Sequence, residues 1–242
     1  MIRLRALAFA LVFYVGTTLA ALSIGAVVWL LLPRAALAVA RLWSRIMLAA
    51  AFAIIGIRLR ISGREHLPAD GPALIASQHR SAFDTLIWFS LLPRPAYVMK
   101  HELTRIPVVG PLARAAGMIA VDRGGGGNAM RALLAAVRSA VTAGRQVIIF
   151  PEGTRVRAGQ HVPPQPGIVG LATATALPVI PVATDSGHCW GRGPLAMYPG
   201  TIHIAIGAPI PPGLRREALL GTLDAAWTAL EAGFPTKGEP CG

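Results

Sequence analysis

The sequence predicts an α/β domain that follows a membrane-associated helical segment. Residues 6–32 form an apolar run without a charged residue. From Ile57 onward, short apolar runs bounded by Gly, Pro and polar residues alternate with longer helical patterns, which is typical of an α/β fold. Hydrophobic residues make up 54% of the 242 residues and only 14% are charged, so we expect part of the chain to contact lipid.

The first apolar run is long enough to cross a bilayer. As a helix, residues 6–32 would span about 40 Å, more than the roughly 30 Å of the hydrocarbon core. We therefore expect a spanning or deeply embedded helix. A cleaved signal peptide is the alternative, because small residues precede Arg41, although the run is longer than a usual signal.

A second apolar stretch, residues 35–56, carries Arg41 and Arg45 one helical turn apart. Two arginines on one stripe favour a helix that lies at the membrane interface. Residues 1–56 are thus predicted to be a membrane anchor, 57–234 an α/β domain and 235–242 a flexible tail. Arginines flank the first helix on both sides, so their distribution does not fix its orientation.

Seven apolar runs predict strands, at Ile57–Ser62, Ala73–Ser77, Ala96–Met99, Met118–Val121, Gln146–Phe150, Val179–Ala183 and Ile202–Ile206. Four helices are predicted, at Ser81–Leu92, Ala129–Ala143, Gly167–Ala176 and Leu214–Ala232. Asn128 is the expected N-cap of the second of these helices. The preceding run Gly124–Gly127 could cradle a phosphate, but without an adjoining Lys or Thr it favours a mobile loop.

The net charge of +12 predicts anionic partners such as phospholipid head groups or phosphorylated substrates. The basic residues are scattered arginines without an aromatic-interleaved stripe, so nucleic acid is disfavoured. The two cysteines show no metal-ligand spacing and are too few for a disulfide framework, which fits a reducing compartment.

The stretch Ser77–Thr85 contains the first candidate for chemistry. His79 would lie at the exit of a buried strand and Asp84 in the first turn of the next helix. A carboxylate placed there could hold one imidazole nitrogen, leaving the other to take a proton from an alcohol. Taken alone, the pair favours a structural interpretation in which Asp84 caps the helix.

Arginines follow two of the predicted strands. Asp122 and Arg123 follow the fourth strand, and the turn Pro151–Arg155 follows the fifth. Open α/β sheets bind ligands at the carboxyl ends of their strands, and arginine can bind a phosphate there with two hydrogen bonds. Each feature separately also fits a surface ion pair or a simple turn.

Together, four motifs closely resemble the glycerolipid acyltransferase family, and most nearly its lysophosphatidic acid acyltransferases. They occur in the family's order: His-x4-Asp from His79, G-M-I-A-V-D-R from Gly117, F-P-E-G-T-R from Phe150 and V-I-P-V from Val179. The segment Lys100–Gly110 is similar to that family's linking segment. The likeness extends from about Gly71 to the last helix, and it implies a mixed sheet surrounded by helices.

The resemblance implies an enzyme that acylates 1-acylglycerol-3-phosphate to phosphatidic acid. His79 would be the general base and Asp84 would orient it, and Pro181 would shape the acyl-donor side. A glycerol-phosphate site is implied for six residues: Lys100, Arg123, Glu152, Gly153, Thr154 and Arg155. No cofactor or metal is implied, and acyl-CoA or acyl-carrier protein would be the co-substrate.

Other interpretations remain open at this point. The acceptor could be another lysolipid or glycerol-3-phosphate. A non-catalytic module that binds anionic lipid would not need His79 and Asp84, and a metal-dependent hydrolase would need a third ligand. We expect membrane lipids as partners and the inner (cytoplasmic) membrane as the location, with the domain on its cytoplasmic side.

Overall fold

The computed structural model describes residues 1–122, 124, 126–157 and 159–235. Two helices, α1 (Ile2–Leu31) and α2 (Pro33–Ile55), come first, and both are long and apolar enough to cross a membrane. Of the predicted tail 235–242, only residue 235 lies within the described part of the chain.

Helix α1 contacts the rest of the protein near both of its ends. Phe9 is buried against Trp190, with ring centroids 5.1 Å apart and planes nearly perpendicular. Near the other end, Gly25 lies so close to Leu112 that a Cβ there would approach its Cδ1 to 2.9 Å. Large apolar side chains on α1 are exposed, among them Leu4, Leu7, Leu11, Val15, Leu19 and Leu22. Helix α1 therefore lies along the domain with an apolar face outward, which indicates membrane association.

Helix α2 is attached to the domain by polar contacts as well as by apolar ones. The Arg41 guanidinium donates to the Pro93 carbonyl (2.8 Å), and the buried Ser44 hydroxyl donates to the Leu86 carbonyl (2.6 Å). Of the two arginines that predicted an interfacial helix, Arg45 is exposed and Arg41 is half-buried against the domain. The second helix is therefore anchored to the domain through part of its predicted polar stripe.

Seven strands form one sheet in the order β1-β7-β6-β2-β5-β3-β4. They are β1 (Ile57–Ser62), β2 (Ala73–Ser77), β3 (Pro95–Lys100), β4 (Ile119–Val121), β5 (Gln146–Ile149), β6 (Val179–Thr184) and β7 (Gly200–Ile206). Neighbouring strands are parallel except β6 and β7, which pair antiparallel. The mixed sheet is confirmed, and all seven predicted strands occur within two residues of their expected bounds.

Helices cover both faces of the sheet. One face packs against α1, α2 and α3 (Phe83–Leu91), and the other against α5 (Gly126–Thr142), α6 (Gly167–Thr175) and α7 (Arg216–Ala232). Alternate residues of the central strands serve the two layers: Ile75 and Ile148 face the first, while Leu74 and Val147 face the second. Trp227 of α7 also donates its indole N–H to the Ala76 carbonyl (3.2 Å).

The direction of the strands brings their carboxyl ends to one edge. Strands β2, β5, β3 and β4 run parallel in adjacent positions. Their ends therefore deliver His79, Phe150, Lys100 and Asp122 to the same side of the sheet.

Two predictions near the glycine run were wrong. Helix α5 begins at Gly126, so Gly126 and Gly127 form its first turn and not part of a loop. Asn128 therefore lies inside the helix, where its side-chain oxygen accepts a hydrogen bond from Arg131 and does not cap the helix. Gly125 lies outside the described residues.

One helix, α4 (Val109–Ala115), was not predicted. Its seven residues include a glycine and a proline, so it lacks the apolar period that identifies longer helices. Helix α4 packs against a 3₁₀ turn at His101–Arg105 through Gly110. A Cβ on Gly110 would lie 2.1 Å from the Thr104 carbonyl oxygen.

Replacing Gly110 by Ala is expected to destabilise the protein by about 1–3 kcal/mol, because α4 must move away from the Thr104 backbone. Thermal unfolding in detergent micelles would measure the loss. Gly221→Ala is the control, because a Cβ at this helical glycine meets nothing within 4 Å. Equal unfolding temperatures for the two variants would contradict the close contact.

Candidate active site

The backbone of His79 is fixed from both sides by the loop after β5. The His79 N–H donates to Glu152 Oε2 (2.6 Å), and the Val156 N–H donates to the His79 carbonyl (2.8 Å). The preceding residue is held by β6, since the Gln78 N–H donates to the Val182 carbonyl (2.9 Å). The histidine at the end of β2 therefore has a defined main-chain position.

The His79 ring is held by a carboxylate and by an aromatic ring. Its Nδ1 lies 3.2 Å from Asp84 Oδ2, and its plane stacks on Phe150 with centroids 4.3 Å apart. Only 14% of the His79 side chain is exposed. With Nδ1 directed at Asp84, Nε2 is the nitrogen left without a partner among the described residues.

Asp84 is buried and receives several hydrogen bonds. The backbone N–H groups of Arg80 and Ser81 donate to Oδ2 at 2.6 and 2.7 Å. The buried Ser186 hydroxyl donates to Oδ1 at 2.6 Å. These donors fix the carboxylate in the orientation that faces His79. Helix α3 begins two residues later than predicted, because residues 80 and 81 turn back toward Asp84 instead of continuing the helix.

An ion-pair network lies behind the histidine, buried at Arg80 and Glu152 and partly exposed at Glu231. Arg80 pairs with Glu152 (Nη1–Oε1, 2.8 Å) and with Glu231 on α7 (Nη2–Oε1, 2.9 Å). The Glu152 side chain is fully buried, and burial raises its pKa to about 7, while Arg80 and the His79 N–H oppose that rise. Both Glu152 oxygens are thus engaged within the protein.

A cleft of about 690 Å³ opens beside His79. Three cationic side chains line it: Lys100 at the end of β3, Arg155 after β5 and Arg192 in the loop between β6 and β7. No carboxylate is among the described residues that line the cleft, and none of these three cations forms an ion pair there. The cleft is therefore suited to an anionic ligand beside a basic imidazole.

A second, apolar cavity of about 200 Å³ adjoins the cleft. It lies between α1, α2 and α4, and its lining includes Thr17, Ala20, Ala40, Leu112 and Ala113. Trp43, Phe89 and Met118 line both the cavity and the cleft, so the two spaces share a wall. An apolar chain entering from the cleft would find lining without charged groups.

The structure brings together most of the residues named from the sequence. His79 and Asp84 are in contact, and the cleft beside them is lined by Lys100, Gly153, Thr154 and Arg155. Arg123 lies outside the described residues. The described residues contain no group of three His, Cys, Asp or Glu side chains that could hold a metal ion.

Two of the named residues occupy other places. Glu152 points away from the cleft into the ion-pair network, because its carboxylate bonds His79 N–H and Arg80. Glu152, named from the sequence as part of the glycerol-phosphate site, is therefore not among the residues that line the cleft. Pro181 is buried in β6 opposite Ala76, and the Gly207 N–H donates to its carbonyl (2.9 Å). It is not among the residues that line the cleft.

Four contributors were missed by sequence reasoning: Arg80, Ser186, Arg192 and Glu231. Arg80 stands inside the His-x4-Asp stretch, and a cation next to the histidine was the one signal that could have identified it. Nothing in the sequence distinguishes Arg192 or Glu231 from the many other charged residues, since their places depend on the packing of the loop and of α7.

The chain is similar to known proteins in both sequence and fold. The sequence profile of the Acyltransferase family matches residues 58–185. A 1-acyl-sn-glycerol-3-phosphate acyltransferase of Pseudomonas aeruginosa is 33% identical over 165 residues, which are 68% of this chain and 64% of that protein. The alpha form of the same enzyme from Mus musculus is 32% identical over 59% of this chain and 50% of that protein.

This chain therefore matches between half and two thirds of the length of these relatives. The crystal structure of the 1-acyl-sn-glycerophosphate (LPA) acyltransferase PlsC from Thermotoga maritima has a similar fold. It superposes with a TM-score of 0.74 at 22% identity and covers 98% of this chain and 100% of that one. The likeness to PlsC includes the N-terminal helices, because nearly the whole chain is matched.

Glu152→Gln is expected to reduce the pH dependence of stability. Because the pKa of Glu152 is about 7 in the folded protein and 4.5 ordinarily, the folded state binds more protons between these pH values. Ionisation of Glu152 alone thus lowers the free energy of unfolding by up to about 3 kcal/mol as pH rises from about 5 to about 7.

Unfolding temperatures measured from pH 5 to 8 should show wild type losing stability relative to Glu152→Gln as pH rises. Glu217→Gln is the matched control, because Glu217 is an exposed glutamate at the start of α7. A constant difference between wild type and Glu152→Gln over this range would show that Glu152 is not the titrating group.

Proposed function

The chain belongs to the Acyltransferase family, and on that premise we propose that it acylates the free hydroxyl of 1-acylglycerol-3-phosphate, giving phosphatidic acid. The acyl donor is acyl-CoA or acyl-carrier protein. One observation carries the proposal: a histidine held by a buried aspartate opens onto a cleft lined by three cations and no described carboxylate. A base for a hydroxyl and a site for its phosphate are thus adjacent.

In the proposed reaction, His79 Nε2 takes the proton of the acceptor hydroxyl while that oxygen attacks the thioester carbonyl carbon of the donor. A C–O bond forms, the C–S bond breaks, and the leaving thiolate takes the proton from the imidazolium. Asp84 accepts a hydrogen bond from Nδ1–H and stabilises the imidazolium, as in other base–orienter pairs. Stacking on Phe150 restricts the rotation of the ring.

We propose that the acceptor phosphate binds Lys100, Gly153, Thr154 and Arg155, with Arg123 as a further cation. Lysine contributes a point charge and arginine two parallel N–H donors, which together suit a phosphate of charge near −2. Glu152 would act behind this site and not in it, by fixing the His79 backbone. Pro181 does not line the cleft, so its position gives no support to a role at the acyl-donor side.

We propose that the acyl chain of the donor binds in the apolar cavity. It shares Trp43, Phe89 and Met118 with the cleft, so a chain lying in it could present its thioester near His79. Burying an apolar chain there is favourable by about 0.8 kcal/mol per methylene. The size of the cavity would then influence which chain lengths are accepted.

The two N-terminal helices support a location at a membrane. We propose that residues 1–56 anchor the acyltransferase domain, residues 57–234, to the cytoplasmic membrane on its cytoplasmic side. The exposed apolar face of α1 would enter the lipid while the cleft stays within reach of a lysolipid in the same leaflet.

His79→Ala should lower kcat for acyl transfer to 1-acylglycerol-3-phosphate by about 10²–10⁴-fold, because the general base is removed. The assay uses purified protein with labelled acyl-CoA or acyl-carrier protein. His161→Ala is the control, because His161 is an exposed histidine paired with Asp224 away from the cleft. If His79→Ala retained most of the activity, His79 would not be the general base.

Ala113→Leu, which fills the apolar cavity, should shift donor preference toward shorter acyl chains. Competition between donors of different chain length would measure the preference. Ala135→Leu, on the exposed side of α5, provides the same substitution outside the cavity. An unchanged chain-length profile in Ala113→Leu would place the acyl chain elsewhere.

A further inference from the structure

Arg192 lies beyond the part of the chain that matches the family profile, and no motif includes it. It is exposed, and it lines the cleft together with His79, Lys100 and Arg155. Its guanidinium donates a hydrogen bond to the Arg155 carbonyl. An arginine has five N–H donors, so donors remain for a ligand.

The loop that carries Arg192 is closed by its own backbone. The Gly191 N–H donates to the Ala196 carbonyl (2.7 Å), and the Tyr198 N–H donates to the Cys189 carbonyl (2.9 Å). Trp190 and Met197 form an isolated antiparallel bridge. These contacts on both sides of Arg192 restrict its backbone.

The same loop is fixed to the N-terminal helix. The Trp190 ring packs edge-to-face on Phe9 (5.1 Å) and on Phe13 (5.5 Å) of α1. Trp190 is 6% exposed, so this aromatic cluster is largely buried. Arg192, two residues further on, is therefore held over the cleft by the helix that carries the exposed apolar face.

Three cations in one cleft repel each other unless an anion binds between them. Arg192 has no ion-pair partner among the described residues, and neither has Lys100 or Arg155. A phosphate monoester, with a charge between about −1.5 and −2, is the chemical group that would offset this repulsion.

A phosphate monoester occurs on the acceptor, and on the donor as well when the donor is acyl-CoA; distance favours the acceptor. In 1-acylglycerol-3-phosphate only C2, C3 and one ester oxygen separate the reacting hydroxyl from phosphorus. The phosphates of coenzyme A are a whole pantetheine arm away from the thioester. A cation in the same cleft as His79 is therefore placed for the acceptor.

We propose that Arg192 is a specificity-determining residue that binds the phosphate of the lysolipid acceptor and is held in place by α1 through Trp190. This inference rests on the proposed function. It adds a cation, from a loop outside the family's motifs, to the proposed phosphate site of Lys100, Arg155 and Arg123. Recognition of the phosphate is thereby linked to the packing of the membrane-associated helix.

Steady-state kinetics of Arg192→Gln in the full chain test the proposal. With acyl donor saturating, KM for 1-acylglycerol-3-phosphate should rise about 10- to 100-fold, the loss expected for a charge-assisted hydrogen bond, while kcat changes little. With acceptor saturating, KM for the donor should stay unchanged. Arg192→Lys, which keeps the charge but not the planar donor pair, should be intermediate.

Arg58→Gln, an exposed arginine on β1 outside the cleft, is the matched control and should behave as wild type. A rise in donor KM alone, or no change in either KM, would overturn the assignment of Arg192. If the wild-type protein itself did not acylate 1-acylglycerol-3-phosphate, the proposed function would fail and this assignment with it. The wild-type rate thus distinguishes the two failures.

Discussion

The site depends on one buried carboxylate, that of Glu152. One of its oxygens accepts the His79 backbone N–H and the other binds Arg80, which also reaches Glu231 on the last helix. Three segments distant in the chain, the end of β2, the turn after β5 and α7, therefore meet at one ion-pair network. Arg80 and Glu152 are its buried members, and removing either would leave the other buried with its charge poorly compensated, which is usually strongly destabilising. The position of the catalytic base in the proposed mechanism is thus coupled to the stability of the fold.

Charge is separated across His79. Carboxylates lie behind it, in the protein, where Asp84 accepts hydrogen bonds from backbone N–H groups and a hydroxyl, and Glu152 pairs with Arg80. Cations lie in front of it, in the cleft, where they have no described carboxylate partner. In the proposed reaction, Asp84 stabilises a proton taken by the imidazole, while the cations of the cleft attract an anionic substrate. The pKa of Glu152 is raised because its carboxylate is buried away from solvent.

Much of this arrangement follows from local sequence patterns. The seven strands were predictable because short apolar runs bounded by turn residues are strong local signals, and the strand ends located His79 and Arg155. Lys100 was named only through the resemblance to the glycerolipid acyltransferases. The inward direction of Glu152 was not predictable, because it depends on Arg80 and on a helix about 80 residues further along the chain. Helix α4 was missed because it is too short to show the hydrophobic period of a helix. The start of α5 was missed because glycines are poor helix formers. The place of Arg192 beside the cleft was not predictable either, because it depends on the packing of its loop on α1.

The central claim is that a base beside a cationic cleft serves to acylate a phosphate-bearing lysolipid. The most direct measurement is acyl transfer by the purified full chain from a labelled donor to equal concentrations of 1-acylglycerol-3-phosphate, a choline lysophospholipid, monoacylglycerol and glycerol-3-phosphate. The proposed function predicts labelled phosphatidic acid as the main product, with the highest kcat/KM for 1-acylglycerol-3-phosphate. Equal or faster transfer to the acceptors without a phosphate monoester, or preference for glycerol-3-phosphate, would contradict it.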